Sequence, residues 1–372
     1  MELPKTGTTS IERYLVRHAP QLRKAGIAFP FDLSRRPKDA DGDPIGVPQI
    51  DGSEYFFKTP RRDVPTTSID WAHELCGFAG SEHLHSFLIS DETLFNSAQG
   101  LRAEVFSGLP KNIEVIFLAY LRHPVDFINS RVLQSITGSD DPYSRFLKSL
   151  PGFARRYVQY GYIDSLTEYA RHGTTLVRSY EQAARTGVVR DFCQALNIPH
   201  LEDGPEQYAN TKSFGYKTGL VLMGCRKELG VFNKKRNDES QSRFFSVGDE
   251  VDDSKKTFLP AKVFDDVLAK WDEERPLIEA QFNVSLQATT KQKPAPDHLN
   301  IDQPFAQAFQ NAARGIFDPE EERLLESALN TAQQGFEIFK DYQPATSPEP
   351  IAAPPQKNRG WFTRIFGKRA AD

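Results

Sequence analysis

Pro4-Lys5-Thr6-Gly7-Thr8-Thr9-Ser10 reads as a strand-to-helix turn suited to holding an anion. Gly7 can take the positive φ that a tight turn needs. Thr8, Thr9 and Ser10 then place hydroxyls and backbone N–H groups at a helix start, where the first N–H groups lack partners and the dipole favours negative charge. Lys5 adds a full positive charge just before the turn. Ile11, Tyr14, Leu15, Ala19 and Leu22 follow at helical spacing, with Pro20 expected to bend or end the helix. The same residues also make an ordinary capped surface helix, so the stretch needs support from elsewhere in the chain. It is not a Walker A loop, which puts Lys after its second Gly and Ser/Thr after that Lys. Here Lys precedes the only Gly, which disfavours an ATPase, a GTPase or a P-loop-like kinase.

Outward from that turn, the clearest buried strand is Ile113-Glu114-Val115-Ile116-Phe117-Leu118-Ala119-Tyr120-Leu121. It ends in Arg122-His123-Pro124. Pro124 suits a first helical position, with Val125, Ile128 and Val132 behind it. Shorter strands are expected at 54–58, at Ser86–Ser90 and at Thr174–Arg178, the last running into Ser179-Tyr180-Glu181. Helices are expected at 65–79 and 93–107, as one or two over 143–171, and around Val188–Leu196. Strands alternating with helices predict an α/β fold with a parallel sheet flanked by helices. Lys5, Glu92, Arg122 and Glu181 each follow the carboxyl end of an expected strand, the edge where open α/β sheets form their ligand crevice. A strand should also precede Pro4–Ser10. Only Met1, Glu2 and Leu3 are there to supply it, so a stub or truncated first strand is expected.

Composition narrows the function classes. The chain has 372 residues, 39% of them hydrophobic, and a net charge of −4. A near-balanced charge gives no global field for nucleic acid, so an anion site has to be built locally. Cys76, Cys193 and Cys225 form neither a metal pattern nor a disulfide frame. No apolar run has the length of a membrane span and the first residues show no signal-peptide core, which leads to a cytoplasmic expectation.

Past residue 200 the signals are weaker. A helix is expected at 219–230, charged mobile chain at 233–257, and a helix at 260–282. Residues 284–300 read as a linker and 301–342 as a helical extension. In that extension Asp318-Pro319-Glu320-Glu321 carries a cap, a first-position Pro and first-turn acids. Residues 343–372 read as a Pro/Ala-rich disordered tail. Its basic amphipathic end, 359–369, offers a weak membrane-surface or protein contact.

Together these stretches resemble sulfotransferases that use 3′-phosphoadenosine 5′-phosphosulfate, PAPS. Pro4–Ser10 looks like their 5′-phosphosulfate loop. Arg122 at a strand end, with Ser130 eight residues on in the next helix, resembles their 3′-phosphate signature. Leu176-Val177-Arg178-Ser179-Tyr180-Glu181 is similar to their later strand ending in Tyr-Glu. The likeness covers about residues 3–215 and thins out to about residue 283.

The resemblance implies a P-loop-NTPase-like sulfotransferase domain over residues 1–283, of the bacterial or glycan type. It implies PAPS as donor, no metal, and a glycan or similar hydroxyl or amine as acceptor. The implied donor-binding residues are Lys5, Thr6, Gly7, Thr8, Thr9, Ser10, Arg122 and Ser130. The chemistry fits: a helix start plus Lys5 suits the phosphosulfate, and a planar Arg fork with a hydroxyl suits the 3′-phosphate. Lys5 is then expected to stabilise the leaving oxygen. Glu92 is the expected general base, because Ser90-Asp91-Glu92 resembles the Ser-Ser-Glu stretch of glycan-type members, with His85 as the fallback. The alternative readings are a non-catalytic scaffold that keeps the fold and, behind it, a P-loop-like small-molecule kinase.

Overall fold

The computed structural model describes residues 8–28, 86–88, 114–138, 143–201, 215–229, 238–252 and 256–343. In chain order these begin with α1 (Thr8–Arg17), α2 (Ala19–Lys24), β1 (Ile27–Ala28), β2 (Ser86–Phe87) and β3 (Ile116–Leu121). Next come α3 (Pro124–Gly138), α4 (Tyr143–Tyr160), α5 (Ile163–Ala170), β4 (Thr174–Ser179), α6 (Tyr180–Thr186) and α7 (Val188–Ala195). The last part holds α8 (Tyr216–Leu229), α9 (Asp238–Val251), β5 (Lys256–Pro260), α10 (Ala261–Phe282), β6 (Lys293–Ala295), α11 (Gln303–Ala313) and α12 (Pro319–Gln334). The architecture is α/β, mostly helical, and its strands pair in parallel as β1–β2, β3–β4 and β5–β6.

β3 and β4 form the centre. Their register runs from Ile116 opposite Thr174 to Leu121 opposite Ser179. Successive side chains of a strand point to opposite faces, and here each face meets its own core. Phe117, Ala119 and Leu121 enter one with Val177, while Leu118 and Tyr120 enter the other. A continuous apolar run is what a strand buried on both faces requires. The second core takes Ile11, Tyr14 and Leu15 of α1, Leu22 of α2, and Val189 and Phe192 of α7. The first takes α3, α4, α5, α8 and α10, through residues such as Ile128, Leu150, Tyr169, Leu220 and Trp271.

Buried polar groups tie these layers. Asp191 on α7 accepts from the Tyr120 hydroxyl at 2.8 Å and from Arg178 Nε at 3.0 Å, so both central strands are pinned to one helix. Glu274 on α10 accepts the Tyr162 N–H at 2.6 Å, the Ile163 N–H at 3.3 Å and the Tyr157 hydroxyl. That satisfies donors at the start of α5 that lack intrahelical partners. Arg226, fully buried, donates to the Ser135 and Ile136 carbonyls near the end of α3 at 3.3 Å each.

Several expectations change. The chain breaks between α1 and α2 at His18, and Pro20 sits in the first turn of α2. The central strand starts at Ile116, not Ile113. Residues 143–171 hold two helices, α4 and α5. Residues 233–257, expected as charged mobile chain, carry α9 and the start of β5. Phe244 and Val247, three apart on one face, reach the first core and hold α9 in place. Residues 284–300, read as a linker, carry β6 and bury Leu286, Ala295 and Leu299 in that same core. The residues of 301–342 form α11 and α12, whose Phe305, Phe309, Leu325 and Leu329 also belong to it. The Asp318 capping box is present as its sequence predicts. The stretches expected as elements at 54–58, 65–79 and 93–107 lie outside the described residues, as does 343–372 apart from Tyr342's neighbour Gln343.

Candidate functional site

The carboxyl ends of β3 and β4 lie side by side, and the residues that follow them build a polar rim. Leu121 pairs with Ser179, so Arg122 and Tyr180 leave the sheet together. The Arg122 guanidinium lies over the Tyr180 ring, 5.2 Å from its centroid, a cation–π contact. Glu181 braces the edge. One of its oxygens accepts the His123 N–H at 2.9 Å, and the other accepts the Ser179 hydroxyl at 3.3 Å. Ser179 in turn caps α6 by accepting the Gln182 N–H.

Charge is concentrated here. Asp126, in the first turn of α3, and Glu181 both act on or beside Arg122. Burial pushes the Asp126 carboxyl up, against the pull of Arg122 and of Thr290. The Thr290 hydroxyl donates to the Asp126 carboxylate, 3.1 and 3.2 Å from its two oxygens. Tyr162, wholly buried, points its hydroxyl towards the Arg122 carbonyl at a long 3.5 Å. His123 is 1% exposed, and neither ring nitrogen has a hydrogen-bond partner among the described residues. Burial pulls its pKa down to about 4, against a backbone contribution from Ala288 that favours the charged form. The ring is therefore neutral near pH 7, set edge-on to Trp271 at 5.8 Å.

Of the expected site residues, Arg122 stands at the rim and Ser130 lies half-buried in the second turn of α3. Thr8, Thr9 and Ser10 open α1, with Ser10 buried. Lys5, Thr6, Gly7, His85 and Glu92 lie outside the described residues. The structure therefore brings Arg122 and Glu181 together from the four charged groups expected at strand ends, and it adds Asp126, Tyr162, Tyr180 and Thr290. Asp126 could have been read from its place in the first turn after the strand. Thr290 carried no signal, since it sits 164 residues away in a stretch without periodicity.

The rim can present a planar cation to an anion, with two carboxylates, four hydroxyls and a neutral imidazole around it. Among the described residues no group of three or more His, Cys, Asp or Glu could hold a metal ion, and no helix is long and apolar enough to cross a membrane. No protein-family model, curated protein or solved structure matches the chain.

Proposed function

We propose that the chain is a PAPS-dependent sulfotransferase with a P-loop-NTPase-like fold, acting in the cytoplasm on a glycan or similar hydroxyl- or amine-bearing acceptor. The observation that carries the reading is Arg122 at the carboxyl end of β3, with Ser130 eight residues on in α3 and Tyr180-Glu181 beside it after β4. Arg122 and Ser130 grip the 3′-phosphate, and the Lys5–Ser10 turn grips the phosphosulfate. The acceptor oxygen attacks sulfur as the bond from sulfur to the 5′-phosphate oxygen breaks. Lys5 stabilises the charge on that leaving oxygen, and Glu92, or His85 in its place, takes the acceptor proton.

Titration calorimetry with 3′-phosphoadenosine 5′-phosphate tests this. Arg122→Ala should weaken binding by about 10- to 150-fold, the equivalent of one charged hydrogen-bonded contact. Lys5→Ala should weaken it as well, while Glu92→Gln should bind normally and transfer no labelled sulfate. Absence of any affinity in the wild-type chain sinks the proposal. It would favour the second reading, a non-catalytic scaffold, for which the Asp126 and Glu181 carboxylates flanking Arg122 are the motivating feature.

A further inference from the structure

Between α10 and β6, residues 284–292 run without helix or strand, yet they are held along their length. Three contacts fasten them to α10: the Val284 N–H donates to the Glu279 carbonyl at 3.4 Å, the Glu279 carboxylate accepts the Leu286 N–H at 2.8 Å, and the Trp271 indole N–H donates to the Gln287 carbonyl at 3.0 Å. The other two reach the rim. Gln182, on α6 just after β4, donates to the Ser285 carbonyl at 3.2 Å. Thr290 donates to Asp126, on α3 just after β3. The segment thus spans from one strand end to the other across the edge where Arg122 sits.

We propose that residues 284–292 are a strap over the carboxyl rim of β3–β4, hinged at Asn283 and latched through Thr290 to Asp126, whose release opens the Arg122 side of the rim to a ligand. This stands apart from the sulfotransferase reading, since it holds for any occupant of the rim. Three features poise the strap. Asn283 already takes the left-handed conformation, φ 47°, in which a chain reverses direction with few contacts to break. Leu286 is the one buried side chain from 284 to 292, with Val284 partly buried against the same core, so the apolar area opposing opening is that of two side chains at the hinge end. Ala288, the strap residue beside the buried His123 imidazole, is itself exposed and adds no buried surface.

Hydrogen exchange on the full chain, followed by mass spectrometry, reads the latch. Phenylglyoxal labelling of Arg122 reads access to the rim. Thr290→Val deletes the hydroxyl that bonds both Asp126 and the Gln292 N–H. Exchange over 284–292 should rise about tenfold and Arg122 labelling should quicken severalfold, with Thr290→Ser restoring both. Gln182→Ala cuts the other rim contact at an exposed position and should give the same two changes at about threefold, whether or not Thr290→Val folds. Unchanged exchange over 284–292 in Gln182→Ala and Thr290→Val overturns the strap. So does faster exchange with no change at Arg122, or a loss of protection shared equally by β3 and α8.

Discussion

Gly224 lies on α8 where that helix packs against α12. A methyl group there would meet the Ala328 carbonyl oxygen at 2.3 Å, its carbonyl carbon at 3.0 Å and its Cα at 3.1 Å. All three are backbone atoms of a helix anchored by buried Leu325, Leu329 and Ala332, so none can swing aside as a side-chain tip would. To bring the closest contact out to an ordinary 3.4 Å, the helices must part by about 1 Å. A gap of that size forfeits about a quarter to a half of each dispersion well along the seam. Overpacking of this kind costs ~1–3 kcal/mol, and contact with backbone places it in the upper half of that range. Replacing Gly by Ala inside a helix returns ~1 kcal/mol. Gly224→Ala should therefore destabilise the chain by ~1–2 kcal/mol, although helix propensity alone gives the opposite sign. Urea unfolding followed by far-ultraviolet circular dichroism measures this as a lower midpoint at unchanged slope. Gly152 in α4 is the control, because a methyl there meets nothing within 4 Å. Gly152→Ala should raise stability by ~0.5–1 kcal/mol. If Gly224→Ala matches or exceeds the wild type while Gly152→Ala gains as expected, the close α8–α12 seam is refuted.

Two further substitutions act through pH, with opposite signs. His123 titrates near 4 in the fold against 6.5 in the unfolded chain, so the unfolded state binds more protons between those values. Stability from this group is present above pH 6.5 and falls by about 3 kcal/mol as the pH drops to 4. His123→Leu should thus gain on the wild type by that amount from pH 7 to pH 4, and a constant difference between the two curves would remove the buried neutral imidazole. Burial pushes the Glu274 carboxyl above its ordinary 4.5. Its contribution is present below pH 4.5 and is lost as the pH rises through the raised value. Glu274→Gln should therefore gain on the wild type as the pH is raised from 4 to 7. A gain in the acid direction instead would mean that the three donors to Glu274 outweigh its desolvation.

What local chemistry specifies was legible in the chain. The unbroken apolar run of β3 fixed a strand buried on both faces, and Pro124 behind Arg122-His123 fixed the start of α3. Asp318-Pro319-Glu320-Glu321 fixed the start of α12, since a cap and its partners lie within one turn. Arg122 and Glu181 were placed at strand ends because a strand's end is read from where its apolar residues stop. The rest was decided by partners far along the chain. The charge-rich α9 forms because Phe244 and Val247 find a core to enter, and β6 forms because β5 offers it an edge. Arg122 acquires Tyr180, and Asp126 beside it acquires Thr290, from segments far along the chain. Periodicity and capping report interactions within a turn or two of the backbone, so they foretell elements and their ends. Which side chains then face one another depends on how those elements pack, and that free energy is settled between residues that no local pattern connects.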